Sequence, residues 1–140
     1  MNPVLAIDQG TSGTKAIVVD PGVGVLSAIE VALRPSYLPN GGVEQDPQQL
    51  LSSVLDAGRR AVAAAGCSVT AVALANQGET VLAWDPVTGQ PHSPAIVCKT
   101  GGPRPYVTSC MSSASGSPTA PGWYLIPTSP HRKWRGYAGR

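Results

Sequence analysis

Asp8-Gln9-Gly10-Thr11-Ser12-Gly13-Thr14-Lys15 brings together the groups that bind a polyphosphate. Glycines let backbone amides approach an anion closely, the hydroxyls of Thr11, Ser12 and Thr14 add donors, and Lys15 adds positive charge. Asp8 can hold a divalent metal through water. The segment is not a Walker loop, because no Gly-Lys-Ser/Thr follows at the required spacing and a β-type run rather than a helix comes next. On composition alone, a hairpin loop rich in Gly and Thr is more often only a turn, so the phosphate reading needs support from elsewhere in the chain.

Other candidates carry weaker chemistry. Trp84 can offer a sugar a flat apolar platform, but at the end of an apolar strand it reads first as packing. Asp20 and Asp46 read as turn and cap residues. Cys67, Cys98 and Cys110 leave an odd thiol over and have no metal-ligand spacing with His92 and His131, so free thiols are expected. Arg132-Lys133-Trp134-Arg135 with Tyr137 suggests a nucleic-acid contact, yet so short a basic run reads first as solvated chain.

The elements that must position the loop alternate short β-type runs with one helix. Val4 to Ile7 and Ala16 to Val19 flank it as a hairpin. Pro21-Gly22 turns the chain into a third strand from Val25 to Leu33, and Pro35, Pro39 and Gly41-Gly42 then predict a surface loop. Asp46-Pro47-Gln48-Gln49 is a helix start, with a capping carboxylate, a proline in the first turn and Gln49 at capping-box spacing. Leu50, Leu51, Val54, Leu55, Ala61, Val62 and Ala65 recur at helical spacing, which predicts a helix over 47–65 stopped by Gly66 in the left-handed conformation. Strands are expected at Val69 to Ala75, Thr80 to Trp84 and Ala95 to Val97, with turn chemistry from Asp85 to Gly89. The expected order is β-β-β-α-β-β-β, an α/β domain built on a mixed sheet.

Composition divides the chain near Val97. All eight acids precede residue 98, whereas six of the ten Lys and Arg residues follow it, so the net charge of +2 averages an acidic front and a basic tail. Residues 98–140 hold six prolines, six glycines and six serines without any period, and are expected to be a disordered tail. The first residues lack the features of a signal peptide, and no apolar run is long enough to span a membrane, which makes a cytoplasmic location the expectation and excludes a membrane partner.

Four segments, in order, resemble the FGGY family of carbohydrate kinases. Asp8-Gln9-Gly10-Thr11-Ser12 between two strands is similar to its first phosphate-binding hairpin, and Gly42-Val43-Glu44-Gln45-Asp46-Pro47 to its loop and helix start. Asn76-Gln77-Gly78-Glu79-Thr80 is similar to its substrate loop, and Trp84-Asp85 through Ala95-Ile96-Val97 to the segment beyond. The resemblance covers residues 4–97 and is strongest toward glycerol-phosphorylating members. It implies that residues 1–97 are the amino-terminal part of the family's first domain, a partial actin-like ATPase (ribonuclease H-like) fold.

The resemblance also implies ATP and Mg as cofactors and a polyol or sugar as the small-molecule substrate, with nucleic acid an unlikely partner. Asp8 would place the metal and the transferring phosphate, while Gly10, Thr11, Ser12 and Lys15 would contact nucleotide phosphates. Gln77 and Glu79 would meet the substrate. Glycerol-specific members usually have arginine where this chain has Gly78, which removes donors and opens space around the substrate. No position corresponds to the family's downstream carboxylate base or adenine site, so no catalytic residue is assigned and the chain alone is expected to be inactive. A small non-catalytic protein binding a partner or nucleic acid through its basic tail is the alternative.

After Ala-Ile-Val the family typically continues Trp-Gln-Asp-Arg-Arg, whereas this chain has Cys98-Lys99-Thr100-Gly101-Gly102. One encoding of the latter, TGC AAG ACC GGC GG, becomes TGG CAA GAC CGG CGG when a G is inserted after two bases, and that translates as Trp-Gln-Asp-Arg-Arg. Residues 98–140 are therefore expected to be non-homologous and frameshifted, with a divergent tail as the alternative.

Overall fold

Alternation along the first strands decides which face of the sheet is covered. In the computed structural model, which describes residues 2–78 and 80–97, β1 (Val4–Gln9) buries Leu5, Ile7 and Gln9, and β2 (Gly13–Asp20) buries Thr14, Ala16, Val18 and Asp20. These residues share one face, because successive side chains point to opposite sides of a strand. β3 (Gly24–Ala32) completes an antiparallel meander, with a register shift between Val18 and Val19, and β6 (Ala71–Asn76) pairs with β1 in parallel. The order β3-β2-β1-β6 is the expected mixed sheet.

Helix α1 (Pro47–Ala65) covers that face and spans the residues predicted from sequence. Asp46 caps it, its carboxylate accepting from the Gln48 amide at 2.8 Å, and Gly66 ends it at φ 64°. The face turned to the sheet keeps Val54, Ala61, Val62 and Ala65 of the expected stripe and differs from it elsewhere. Ser53, Ala57, Gly58 and Ala61 are buried against Leu5, Ile7, Ala16 and Val18, whereas Leu51 and Leu55 are exposed. Small residues win the inner face because they let the helix axis come close to the sheet. A Cβ on Gly58 would lie 3.3 Å from Ile7 Cδ1 and 3.5 Å from Leu5 Cδ2.

The segment expected as a surface loop forms a hairpin instead. β4 (Ser36–Tyr37) pairs with β5 (Val43–Gln45) across a turn in which the Leu38 amide donates to Gly42 O and the Gly41 amide to Leu38 O, with Gly41 at φ 80°. Pro39, Asn40 and Gly41 thus act as turn formers between two short strands rather than as breakers. β5 pairs with β8 (Ala95–Val97), which pairs with β7 (Thr80–Val81), giving a second sheet of order β4-β5-β8-β7. The strand expected to reach Trp84 stops at Val81, and Trp84 instead makes an isolated bridge to Pro91 around the Asp85 turn. The expected strand from Val69 begins at Ala71 and ends at Asn76. The tail expectation, including the Arg132–Tyr137 run, Cys98 and Cys110, lies outside the described residues; Cys67 is a free thiol packed beside the core.

Candidate functional site

The hairpin loop between β1 and β2 is closed by one main-chain bond, from the Gly10 amide to Gly13 O at 2.8 Å, and braced by the Gln9 side-chain amide on Gly10 O at 2.7 Å. Leu33 at the end of the meander adds a third tie, donating its amide to Ser12 O at 2.9 Å. Gly13 is required by crowding: a Cβ there would sit 3.0 Å from Val31 O. Among the described residues no hydrogen bond engages the amides of Thr11 or Ser12 or the hydroxyl of Ser12, so these donors remain at the loop apex.

Asp8 and Lys15 lie on the sheet face opposite α1, directly across the ladder from one another, and Lys15 is in turn across from Glu30. All three are exposed, and among the described residues none of them makes an ion pair. A carboxylate, an ammonium group and an apex of amide and hydroxyl donors therefore open onto the same end of the hairpin. That donor set fits a Mg-bound polyphosphate: Asp8 suits a water-bridged cation, and Ser12, Lys15 and the loop amides suit the anion.

Thr14 departs from the expected set. It is fully buried, and its hydroxyl meets Ser53 Oγ at 2.7 Å while Ser53 donates to Leu50 O at 2.8 Å. A hydroxyl has one proton, so Thr14 is the donor to Ser53 and is spent tying the hairpin to α1. It offers a phosphate nothing.

Thr11 and Gln77 come together, joined by a residue that the sequence did not single out. The Thr11 hydroxyl donates to Gln77 Oε1, Gln77 Nε2 donates to Gln45 Oε1 at 2.6 Å, and Gln45 Nε2 donates to Thr11 O at 2.8 Å. The Gln77 main chain is pinned as well, its amide donating to Gln9 O at 2.9 Å. A closed ring of side chains thus ties the β1–β2 loop, the last residue of β5 and the segment that follows β6. The only sequence signal for Gln45 was its place inside Glu44-Gln45-Asp46-Pro47, which reads as a helix approach. Glu79 lies outside the described residues.

Two further groups bear on electrostatics and shape. The Thr88 amide, followed by the Val87 amide and the Thr88 hydroxyl, holds the Asp85 carboxyl below its ordinary value of 3.8. An open cleft lined by Ser36, Glu44, Pro47 and His92 takes in no residue of the phosphate or substrate loops. Among the described residues no group of three or more His, Cys, Asp and Glu is placed to hold a metal ion.

Comparison with known proteins gives this geometry a family. The sequence model of the FGGY family of carbohydrate kinases, N-terminal domain, matches residues 3–113. Glycerol kinase of Rhodospirillum centenum is 42% identical over an alignment of 97 residues that covers 67% of this chain and 20% of that protein. Glycerol kinase 1 of Thermotoga maritima is 39% identical over 103 residues, 70% of this chain and 21% of that protein. The chain therefore spans about a fifth of the length of the curated relatives it matches. Among solved structures, Plasmodium falciparum glycerol kinase with ADP superposes at a TM-score of 0.64 with 27% identity, over 84% of this chain and 24% of that one. Xylulose kinase from Rhodospirillum rubrum superposes at 0.67 with 21% identity, over 80% and 23%, and supports the fold. The chain belongs to the FGGY family of carbohydrate kinases, within its amino-terminal domain.

Proposed function

We propose that this chain carries the phosphate-binding hairpin and the first part of the substrate loop of an ATP-dependent kinase that phosphorylates a hydroxyl of a polyol or sugar. The observation that carries the reading is the open hairpin apex, where the unengaged amides of Thr11 and Ser12 and the Ser12 hydroxyl adjoin the exposed Asp8 and Lys15. Asp8 holds Mg through water, and Gly10, Thr11, Ser12 and Lys15 receive the phosphates. Catalysis of this kind rests on positioning the moving phosphoryl and stabilising its charge. Gln77 and Glu79 belong to the substrate side, and Gly78 leaves room for a substrate larger than glycerol. Mg-ATP and polar substrates place the reaction in the cytoplasm; among the described residues no helix is long and apolar enough to cross a membrane.

The chain binds but does not turn over, because no position in its sequence matches the downstream carboxylate base or the adenine site that the family resemblance implies. The test pairs a thermal-shift titration with Mg-ADP and Mg-ATP with a coupled assay on glycerol, xylulose and larger polyols. Expected are a shift that Asp8→Asn removes and no phosphorylation above a no-protein control. Turnover abolished by Asp8→Asn overturns the inactive reading. A shift seen instead with nucleic acid, weakening steeply with salt, would favour a binding protein acting through its basic tail.

A further inference from the structure

We infer that Gln45 is a positioning residue that sets the direction of the ring joining the two loops, so that a phosphate bound at the hairpin and the Gln77 side chain compete for the Thr11 proton. The inference rests on the phosphate reading of the hairpin and adds to it a coupling between its two loops.

The direction follows from one fixed point. Thr11 O is a carbonyl oxygen and can only accept, so Gln45 must turn its NH2 group toward it, at 2.8 Å. Gln45 then has only its oxygen left for Gln77, which must answer with its own NH2, at 2.6 Å. Gln77 Oε1 is thereby aimed at Thr11 Oγ1, and the hydroxyl between them has to donate. Reversing Gln45 would set oxygen against Thr11 O and NH2 against NH2, and reversing Gln77 would set its oxygen against Gln45 Oε1. Gln45 is 4% exposed, so water cannot stand in for a lost partner, and its orientation propagates around the ring.

The consequence lies at the site. With its one proton given to Gln77, the Thr11 hydroxyl has only lone pairs left, and a phosphate oxygen finds no donor in that hydroxyl. Phosphate gains Thr11 only when the hydroxyl rotates away, which leaves Gln77 Oε1 without its partner and frees that side chain toward the substrate loop. The backbone bond from the Gln77 amide to Gln9 O holds the main chain in place throughout, so the change is confined to side chains. Occupancy of the phosphate loop is in this way reported to the substrate loop by a single proton.

The experiment follows the full chain by side-chain and backbone amide NMR while Mg-ADP is added. Expected in the wild type is a joint response, in which the Gln77 NH2 group shifts with the same midpoint as the Ser12 and Gly13 amides. Gln45→Met, which keeps bulk but removes the fixed point, is expected to bind Mg-ADP more tightly by about fivefold, the factor carried by one neutral hydrogen bond. In a Thr11→Val background the same substitution is expected to change nothing. A purely structural Gln45 would weaken binding in both backgrounds, and that result, or loop amides that shift while Gln77 stays still, overturns the coupling alone. No shift of Ser12 or Gly13 at millimolar Mg-ADP in any variant overturns the phosphate reading and the coupling with it.

Discussion

A buried hydroxyl relay and an exposed carboxylate show what single residues contribute. Thr14 donates to Ser53, and Ser53 donates to Leu50 O. Thr14→Val removes one bond and leaves only an acceptor unfilled, whereas Ser53→Ala strands the Thr14 proton in a fully buried site. Chemical denaturation should show Ser53→Ala costing about 1–3 kcal/mol and Thr14→Val about 1 kcal/mol; the reverse order would refute the direction of the relay. Asp85 makes a different kind of contribution. Its carboxylate accepts from the Val87 and Thr88 amides at 2.9 and 2.7 Å, which lowers its folded value below the ordinary 3.8. A depressed carboxyl stabilises the turn above the unfolded value, and that contribution is lost as pH falls through the folded one. The protection of the Val87 and Thr88 amides relative to their intrinsic exchange rates should therefore fall on acidification, and Asp85→Ala should lack that protection already at neutral pH, with no such step.

At the scale of elements, the helix sits on the sheet through small residues, and Gly58 sets the closest approach. An alanine there gains helix propensity against a contact of 3.3 Å to the mobile end of Ile7, two effects of opposite sign. A β-branched side chain cannot be absorbed in this way. Gly58→Val is expected to destabilise by about 1–3 kcal/mol, the range for overpacking a close interface, as measured by urea denaturation. A variant as stable as the wild type would show that α1 can lift off the sheet without loss.

For the molecule as a whole, α1 packs on β3, β2 and β1, while β6 is exposed along its whole length. Val72 and Leu74 stand beside Leu5 and Ile7 on the helix-facing side, yet remain 62% and 63% exposed among the described residues. An apolar strand with a free edge recruits other chains. Aggregation on expression is expected, with Leu74→Lys raising the soluble yield; a soluble wild-type monomer with a sharp, reversible thermal transition would contradict it. Residues 98–140, the first sixteen of which lie within the span of the family-model match, carry a separate proposal, that they are a frameshifted reading of kinase sequence. It stands on the loss of every acid after residue 98 and on the codons compatible with Cys98-Lys99-Thr100-Gly101-Gly102. The nucleotide sequence decides it: one added base near codon 98 should open a long frame of kinase character, and its absence refutes the proposal.

Local chemistry was legible without the fold. Asp46 and Gly66 mark the ends of α1 because caps act on amides and carbonyls within one turn, and Gly10 and Gly13 mark a tight hairpin because the backbone approaches closely enough there to crowd a side chain. The order of the main strands followed from their apolar runs. What tertiary structure alone decided is which residues meet. It buried Thr14 against α1, turned Leu51 and Leu55 outward, and paired β5 with β8 from the far side of the helix. It also closed the ring of Thr11, Gln45 and Gln77, whose bonds span 66, 32 and 34 residues of chain. No periodicity or turn signal reaches so far, because an amide's partner is chosen by where the sheets bring the backbone and not by its neighbours in sequence.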